Sequence, residues 1–424
     1  MVHVNKLSNG MTVVFEKMEH LRSVSLGVWV KVGSANETNE NNGIAHMIEH
    51  MLFKGTKNRS AKELADDMAM LGGNMNAYTS KECTSYYVTT LDNHLPIAID
   101  ILGDMISNSL FDLDDIEREK EVILEEIDMY DDSPDDLVHE MLQKEVWKDH
   151  PLGYIISGTK EIVKGYTRED LIRFKEQYYV ADNMVISIVG NFEEEKALYL
   201  LEHYFGQIAS SSVREEITKP DFTRCFVTSN KDIEQIHMNM AFDCVDYHAK
   251  EKYVLSIVNA VLGGSENSRL FQIIREEMGL TYSIYSYGSS YGLAGLFHID
   301  ATLNPSKIEK VFEGIVKVID QLREKGISEN ELNRAKEQIN TELIIGSESS
   351  RNRVNSNGKA MLCREKIMSL DDTIQAVNDV TREDALAFID KYLDYNKLSI
   401  CLVGNLTDID LDKMKSKWNE LANR

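Results

Sequence analysis

An internal repeat limits the folds open to this chain more than any other feature of its sequence. Residues 167–191, TREDLIRFKEQYYVADNMVISIVGN, align without a gap to residues 381–405, TREDALAFIDKYLDYNKLSICLVGN, at an offset of 214 (381 − 167). Each copy begins with a Thr typical of a helix N-cap, continues with acids in the first turn, and ends in an apolar run before Gly-Asn. The repeat predicts two similar halves, each with a helix that leads into a β-strand.

The patterns elsewhere in each half predict an α+β fold class. Residues 23–34 alternate like a strand, and residues 236–244 take the corresponding place in the second half. Residues 60–71 predict a helix with a capping box, and residues 74–91 are rich in β-forming residues. We expect two structurally similar domains joined by a polar linker. The predicted boundaries are an N-terminal domain 1–207, a linker 208–220 and a C-terminal domain 221–424.

The composition is that of an acidic globular protein. The 424 residues carry a net charge of −24, which argues against a nucleic-acid partner because phosphate binding requires basic patches. Residues 1–10 contain no apolar run, and no later segment approaches a membrane span, so we expect a cytoplasmic protein with no membrane partner. The five cysteines are scattered singly and predict neither a disulfide framework nor a cysteine zinc site.

The motif HMIEH at residues 46–50 predicts a metal site. On a helix, His46 and His50 would lie one turn apart on one face, where two imidazoles can bind one metal ion. Glu49 lies beside them, in the position of a general base acting on a metal-bound water. The order HxxEH is the inverted zinc-protease signature. A five-residue match alone also fits an amphipathic helix with ordinary histidines, but the apolar flanks favour a buried helix whose polar residues need a partner.

A zinc hydrolase needs a third protein ligand, and residues 117–132, EREKEVILEEIDMYDD, offer one. The segment lacks Gly and Pro and is typical of a long helix. Glu119 and Glu126 are seven residues apart (126 − 119) and so share a face, on which Val122 and Ile123 are also expected. We predict Glu126 as a zinc ligand and Glu119 as a supporting acid that orients a ligand. The alternative is a solvated acidic helix face.

In the second half, residues 268–287, SRLFQIIREEMGLTYSIYSY, suggest a pair of substrate-binding groups. A helix ending near Gly279 would present Arg275, and the following strand would present Tyr282. An arginine and a phenol can both hold a substrate carbonyl and the oxyanion that forms when water adds to it. Taken alone, an arginine on a helix and a tyrosine in a strand are structural far more often than catalytic.

These segments resemble a known family, the pitrilysin superfamily, which includes insulin-degrading enzyme and the mitochondrial processing peptidase. The resemblance is carried by the core HMIEHMLFKGT, by the spacing from His50 to Glu126 (126 − 50 = 76) and by the EKEVILEE context. It extends over most of the chain and implies the metallohydrolase fold of the processing peptidase. It also implies one Zn²⁺ per chain, bound by His46, His50 and Glu126, with Glu49 activating the water and Glu119 in support.

The resemblance further implies how substrate is held. The family has an Arg/Tyr pair at the spacing of Arg275 and Tyr282, which reaches the zinc site from the other half of the chain. It binds substrate as an added β-strand along a sheet edge, and the matching residues are Asn76, Ala77 and Tyr78. An ordinary edge strand of the core sheet is the alternative for these three residues.

The chain length and the complete set of site residues lead to an expected function. Two domains that carry both the zinc residues and the Arg/Tyr pair suggest a homodimer that encloses a chamber without a paralogous subunit. We expect a zinc-dependent endopeptidase that cleaves peptides or unfolded polypeptides by metal-activated water. The alternatives are a non-catalytic subunit or scaffold similar to the processing peptidase, and a metal-dependent lyase of similar fold.

Overall fold

A computed structural model describes residues 2–214 and 216–423, and it divides the chain into two compact units. Each unit is built from separate stretches of sequence. Unit 1 consists of Met1–Asp128, Tyr154–Ile217 and Ile344–Met368. Unit 2 consists of Met129–Gly153, Thr218–Leu343 and Ser369–Arg424. One of the crossings, at 217/218, lies inside the predicted linker 208–220, and the predicted boundaries of the two sequence halves stay a prediction.

Unit 1 contains a mixed sheet of six strands with helices on both faces; labels follow chain order through both units. Its strands are β1 (Val2–Lys6), β2 (Thr12–Lys17), β3 (Ser23–Val30), β4 (Asn74–Thr79), β5 (Thr84–Leu91) and β6 (Met184–Gly190). Its α-helices are α1 (Ile44–Met51), α2 (Ala61–Met70), α3 (Leu95–Asn108), α4 (Leu113–Asp132), α6 (Lys160–Gly165), α7 (Arg168–Tyr178), α8 (Glu194–Phe205) and α12 (Ser350–Arg364). The last four residues of α4, 129–132, belong to unit 2.

The strand order in unit 1 is β1-β2-β6-β3-β5-β4, which leaves β4 at one edge. The pair β2–β6 is parallel, and the other neighbours are antiparallel. Along β3, Leu26 and Val28 face a core shared with α1, whereas Trp29 faces the opposite side of the sheet with Val354 of α12. This alternation is what a strand buried on both faces requires. Gly358 of α12 makes room for the indole, because a Cβ there would lie 2.4 Å from a ring atom of Trp29.

Unit 2 repeats this architecture with five strands. They are β7 (Phe226–Asn230), β8 (Ile236–Cys244), β9 (Thr281–Ser290), β10 (Gly295–Leu303) and β11 (Leu398–Gly404). Its α-helices are α5 (Pro134–Val146), α9 (Lys252–Leu262), α10 (Ile308–Lys325), α11 (Glu329–Ser347), α13 (Leu370–Asn378), α14 (Arg382–Tyr392) and α15 (Leu411–Leu421). The last four residues of α11, 344–347, belong to unit 1. The strand order β7-β11-β8-β10-β9 again has one parallel pair, β7–β11, and places β9 at an edge.

The internal repeat is confirmed element by element. The starts of helices α7 and α14 differ by the repeat offset (382 − 168 = 214), and so do the starts of strands β6 and β11 (398 − 184 = 214). Thr167 and Thr381 both form capping boxes with the acid three residues later. The five strands of unit 2 follow the order of five strands of unit 1, β2-β6-β3-β5-β4, and β1 is the additional strand. The predicted fold class is therefore confirmed: α+β, with two structurally similar domains.

One helix from each half of the sequence packs in the unit that is built mainly from the other half. Helix α5 comes from the first half of the sequence and packs on β8 and β11 of unit 2. Helix α12 comes from the second half and packs on β3 and β6 of unit 1. The difference between their starts (350 − 134 = 216) is close to the repeat offset, so they are corresponding helices. Each unit therefore completes its sheet with a helix from the opposite half of the chain.

The predicted helix 117–132 is present, but its buried face is narrower than the sequence predicted. The long helix predicted over 117–132 is confirmed as α4, and Ile123 is buried in it, but Val122 is 48% exposed rather than core-facing. The apolar stripe of α4 is therefore narrower than the sequence suggested.

Among the helices in residues 2–214 and 216–423, none combines the length and apolar character that crossing a bilayer requires.

Candidate metal centre

Helix α1 carries the HMIEH motif, and its start is fixed by a buried carboxylate. Gly43 precedes the helix with a φ of 100°, and a Cβ there would lie 2.7 Å from the Ser157 carbonyl oxygen, so only glycine fits. The carboxylate of Glu37, which is 2% exposed, accepts hydrogen bonds from the backbone N–H groups of Gly43 (2.7 Å) and Ala45 (2.9 Å). Burial raises the pKa of Glu37 to about 7 although these N–H groups oppose the rise, so hydrogen bonding rather than a full negative charge holds the start of the helix.

The two histidines lie side by side on α1, as the spacing of four predicts. Their ring centroids are 4.6 Å apart, and His46 is the more deeply buried of the two. Burial, together with the neighbouring His50, lowers the pKa of His46 to about 3. The imidazole of His46 is therefore neutral at physiological pH, which is the form that binds metals.

Helix α4 brings Glu126 to both histidines. The Glu126 Oε2 atom lies 3.7 Å from Nε2 of His46 and 3.6 Å from Nε2 of His50. The three side chains offer ligand atoms that all lie within 4.8 Å of one another. Distances above 3.5 Å exceed those of ordinary hydrogen bonds, so the three groups converge without satisfying one another directly.

The donor atoms that these three residues offer are of the kinds that bind a zinc ion. Two imidazole nitrogens and one carboxylate oxygen are the protein ligands of a common class of catalytic zinc sites, which keep a fourth position open. The Nε2 atoms of both histidines face the Glu126 carboxylate at 3.7 Å and 3.6 Å, and no hydrogen bond joins these three groups. Bringing two imidazole nitrogens and a carboxylate together in a largely buried place is costly unless a cation binds between them.

Glu119 orients His50 from the side away from Glu126. Its Oε2 atom lies 3.1 Å from Nδ1 of His50, and its Oε1 atom forms an ion pair with Lys54 Nζ at 2.6 Å. Burial would raise the pKa of the Glu119 carboxyl, but the contacts with His50 and Lys54 outweigh it and leave the pKa lowered. An ionised Glu119 favours the His50 tautomer with its proton on Nδ1, which leaves Nε2 free to bind a metal.

Glu49 lies on the same helix but faces strand β4. Its Oε2 atom accepts a hydrogen bond of 2.5 Å from the Thr79 hydroxyl. Burial raises the pKa of Glu49, while the hydroxyl and the backbone N–H of Thr79 oppose that rise. A half-buried carboxylate with a raised pKa is a stronger base than a free one and is suited to accept and return a proton.

Strand β4 contains Asn76, Ala77 and Tyr78 and is an edge strand of its sheet. It pairs with β5 on one side, and Ala77 packs against the core beside α1. The position at the sheet edge is the one that strand addition requires. A substrate role for these three residues stays a prediction.

Arg275 and Tyr282 lie in unit 2, where the structure brings them together. The chain forms a π-helical segment over Phe271–Glu277, turns at Gly279 with a φ of 59°, and enters β9. The Arg275 guanidinium lies 5.7 Å from the ring centroid of Tyr282, which is 76% exposed. A π-helical segment often marks a functional site. Their action on the metal centre of unit 1 stays a prediction.

Three contacts at this site involve residues that the sequence analysis did not single out: Glu37, Lys54 and Thr79. Lys54 lies within the HMLFKGT core, four residues after His50, so its place near the supporting acid had a local signal. Thr79 directly follows the predicted substrate strand, yet its contact with Glu49 depends on packing between β4 and α1. Glu37 had no signal, because its donors, two backbone N–H groups and the side-chain amide of Asn42, meet it only in the folded turn before α1.

The fold and the site together define a class: a two-domain α+β chain with an inverted zinc motif in one domain. A family model described as insulinase (peptidase family M16) matches residues 12–160, and a model described as the peptidase M16 inactive domain matches residues 165–339. The zinc protease YmxG of Bacillus subtilis (strain 168), described as uncharacterized, is 40% identical over 375 residues, covering 88% of this chain and 91% of that protein. The chain therefore belongs to peptidase family M16, the insulinase family.

Solved structures extend the comparison to the fold. A structure described as the peptidase M16 inactive domain from Pseudomonas fluorescens matches with a TM-score of 0.89 at 22% identity, covering 95% of this chain and 98% of that one. A chain of complex III2 from Candida albicans matches with a TM-score of 0.85 at 20% identity, covering 99% of this chain and 100% of that one. At these identities the likeness shows a shared fold and carries no argument about activity.

Proposed function

We propose that this chain is a zinc-dependent endopeptidase that cleaves peptides or unfolded polypeptides. The observation that carries the proposal is the convergence of His46, His50 and Glu126 around one point. The carboxylate of Glu49 lies on α1, the helix that carries the two histidines. Membership of peptidase family M16 and the zinc-protease name of the relative in Bacillus subtilis support it.

Each residue of the centre has a separate task in this proposal. Zinc held by His46, His50 and Glu126 would supply a Lewis acid that polarises a peptide carbonyl and lowers the pKa of water. Glu49 accepts the proton of the attacking water at its carboxylate and returns it to the leaving amine. Glu119 fixes the orientation of His50 through Nδ1.

Substrate binding in this proposal uses two further groups of residues. A peptide adds to the free edge of β4 along Asn76, Ala77 and Tyr78, so that backbone pairing makes recognition tolerant of sequence. Arg275 and Tyr282 donate hydrogen bonds to the oxyanion that forms at the attacked carbonyl. The contact between the Arg275 guanidinium and the Tyr282 ring supports their acting as a pair.

The proposed working form is a homodimer that encloses a chamber in the cytoplasm. Its basis is that one chain carries the metal residues, the general base and the Arg/Tyr pair, so no paralogous subunit is needed to complete the set. The net charge of −24 favours basic peptides as substrates if acidic side chains line the chamber. Sedimentation of the purified protein should give twice the mass of one chain, and a monomer that cleaves peptides at full rate would exclude this form.

Chelation tests the proposed chemistry. Purified protein should cleave a quenched fluorescent basic peptide, lose that activity when a chelator removes the metal, and regain it when zinc is added back. Cleavage that survives complete removal of metal would exclude the proposal. Mass analysis of the products should show internal peptide bonds hydrolysed without other change, whereas products of an elimination reaction would favour a lyase.

A non-catalytic subunit or scaffold is the alternative, and one outcome favours it. It would bind zinc, or none, and cleave no peptide. All four residues His46, Glu49, His50 and Glu126 are present and gathered in one unit, which the scaffold alternative does not require. The peptidase proposal accounts for their arrangement more directly.

A further inference from the structure

We propose that Thr79 is a positioning residue that holds the carboxylate of Glu49 in place for proton transfer. The inference rests on the proposed function, because it concerns the general base of that reaction. It starts from the short hydrogen bond, 2.5 Å, from the Thr79 hydroxyl to Oε2 of Glu49. The two residues are 30 positions apart in sequence, so only the packing of β4 against α1 brings them together.

The Thr79 hydroxyl has one proton, and its surroundings direct that proton to Glu49. The nearest other hydroxyl belongs to Thr84, at 3.4 Å between the two oxygen atoms. Thr84 donates its own proton to the carbonyl oxygen of Val32 at 2.9 Å, in a buried contact. Because a hydroxyl donates only one hydrogen bond, the closer and ionisable acceptor of Thr79 is the carboxylate. Such charge-assisted bonds are short and directional.

The backbone around Thr79 is held in place by a tight hairpin. Thr79 and Thr84 are paired at the end of β4 and β5. Between them, the N–H and the hydroxyl of Ser80 both donate to the Cys83 carbonyl at 2.8 Å, and the Cys83 N–H donates back to the Ser80 hydroxyl at 3.1 Å. The hydroxyl that donates to Glu49 is thus carried by the last residue of β4, next to a hydrogen-bonded turn.

This arrangement joins the general base to the strand proposed to bind substrate. Residues 76–78 of β4 immediately precede Thr79, so a peptide paired to that edge and the carboxylate of Glu49 are both fixed relative to one strand. Thr79 therefore sets the distance between the base and a bound peptide. Loss of the hydroxyl should impair the chemical step while leaving substrate pairing intact, because the backbone of β4 is unchanged.

The test compares Thr79→Val, Thr79→Ser and Thr89→Val in the full-length, zinc-loaded protein. Valine keeps the shape and β-propensity of threonine but removes the hydroxyl, whereas serine keeps it. Thr89, in β5, is the matched control: it is also half-buried, and its hydroxyl bonds Ser25 at 2.8 Å, away from Glu49. We expect Thr79→Val to lower kcat by roughly 10- to 100-fold with KM and zinc content unchanged. Thr79→Ser and Thr89→Val should retain the wild-type kcat.

Two results would overturn the proposal: a wild-type kcat in Thr79→Val, or equal losses in Thr79→Val and Thr89→Val. Thermal unfolding of each variant excludes a general loss of fold. If the wild-type protein cleaves no peptide, the proposed function fails, and crystal structures then decide the role of Thr79. The Glu49 carboxylate should accept from the Thr79 hydroxyl in the wild type and shift in Thr79→Val, where only the backbone N–H of residue 79 remains as a donor. A wild-type crystal structure with these groups out of hydrogen-bonding distance would overturn the inference independently of activity.

Discussion

Units 1 and 2 share a strand order, a parallel strand pair and a capped helix, yet only unit 1 carries the metal residues among the residues that the structure describes. Helix α1 of unit 1 presents His46 and His50, whereas the helix at the corresponding place in unit 2, α9, buries apolar residues such as Val258 and Leu262. Helix α4 supplies Glu126, whereas Glu342 of the corresponding helix α11 is exposed and lies 3.0 Å from Gln338. The same scaffold thus exists with and without the site.

The difference teaches that the scaffold and the site make separate demands on the sequence. The sheet and its helices need only apolar residues at the right period, and both halves of the chain provide them. The metal centre needs a few polar residues placed in the core, which cost stability unless a cation satisfies them. Variants of corresponding residues in the two units can therefore separate effects on fold from effects on the site.

The largest effect is expected from removing the helix that each unit takes from the other half. A fragment of residues 1–207 lacks α12, which covers Trp29 in unit 1, and carries α5 without the sheet on which it packs. Exposing that face should abolish cooperative unfolding, as measured by circular dichroism on heating. A fragment with a sharp transition near that of the full chain would show that the sequence halves fold independently.

Removing a metal ligand should have the next largest effect, and only in unit 1. Glu126→Ala should weaken zinc binding by more than the roughly 10- to 100-fold that is typical for residues behind the ligands. Glu342→Ala, its counterpart on α11, should bind zinc like the wild type, because Glu342 lies on an exposed helix face. Competition with a fluorescent chelator measures both affinities. Equal zinc affinities in the two variants would show that Glu126 is not a zinc ligand.

A smaller loss is expected from the acid that orients His50. Glu119→Gln keeps the size of the side chain but weakens its contacts with His50 and Lys54, and should lower zinc affinity by about 10- to 100-fold. The same chelator competition applies, with the exposed and neighbouring Glu121→Gln as the control. An unchanged zinc affinity in Glu119→Gln would make Glu119 a structural acid only.

The smallest effect should be the same in both units. Thr167→Ala and Thr381→Ala each remove the cap of a repeated helix, where the hydroxyl accepts from the backbone N–H of Asp170 at 3.2 Å and of Asp384 at 3.1 Å. Each should lower the free energy of unfolding by about 1 kcal/mol, measured by denaturant titration, without changing zinc content. Very different losses in the two variants would show that the repeats are not energetically equivalent.

The sequence predicted those parts of the molecule that depend on local spacing. The four-residue spacing of His46 and His50 defined a helix face, the repeat predicted two similar halves, and β-rich residues 74–91 became β4 and β5. Contacts set by tertiary packing had no such signal, as in the bond from Thr79 to Glu49. Periodicity shows which face of a helix is apolar but not which sheet that face covers. It therefore could not predict the sheets on which α5 and α12 pack.

The exposed Val122 illustrates the same limit within one helix. A seven-residue spacing correctly placed Glu119 and Glu126 on one side of α4, but it did not define how wide the buried stripe is. Ile123 is buried and Val122 is not, because adjacent positions differ by about 100° around a helix. The width of a buried face depends on the elements packed against it, which a single sequence does not show.

The central claim is that unit 1 holds a zinc centre in which Glu49 transfers the proton during peptide hydrolysis. The most direct test measures zinc content and cleavage of a quenched fluorescent basic peptide side by side in the wild-type protein and in Glu49→Gln. We predict about one zinc per chain in both, from the group of three ligands, and a loss of turnover of at least roughly 100-fold in the variant. Wild-type turnover in Glu49→Gln would contradict the mechanism, and zinc binding without cleavage by the wild type would contradict the peptidase proposal.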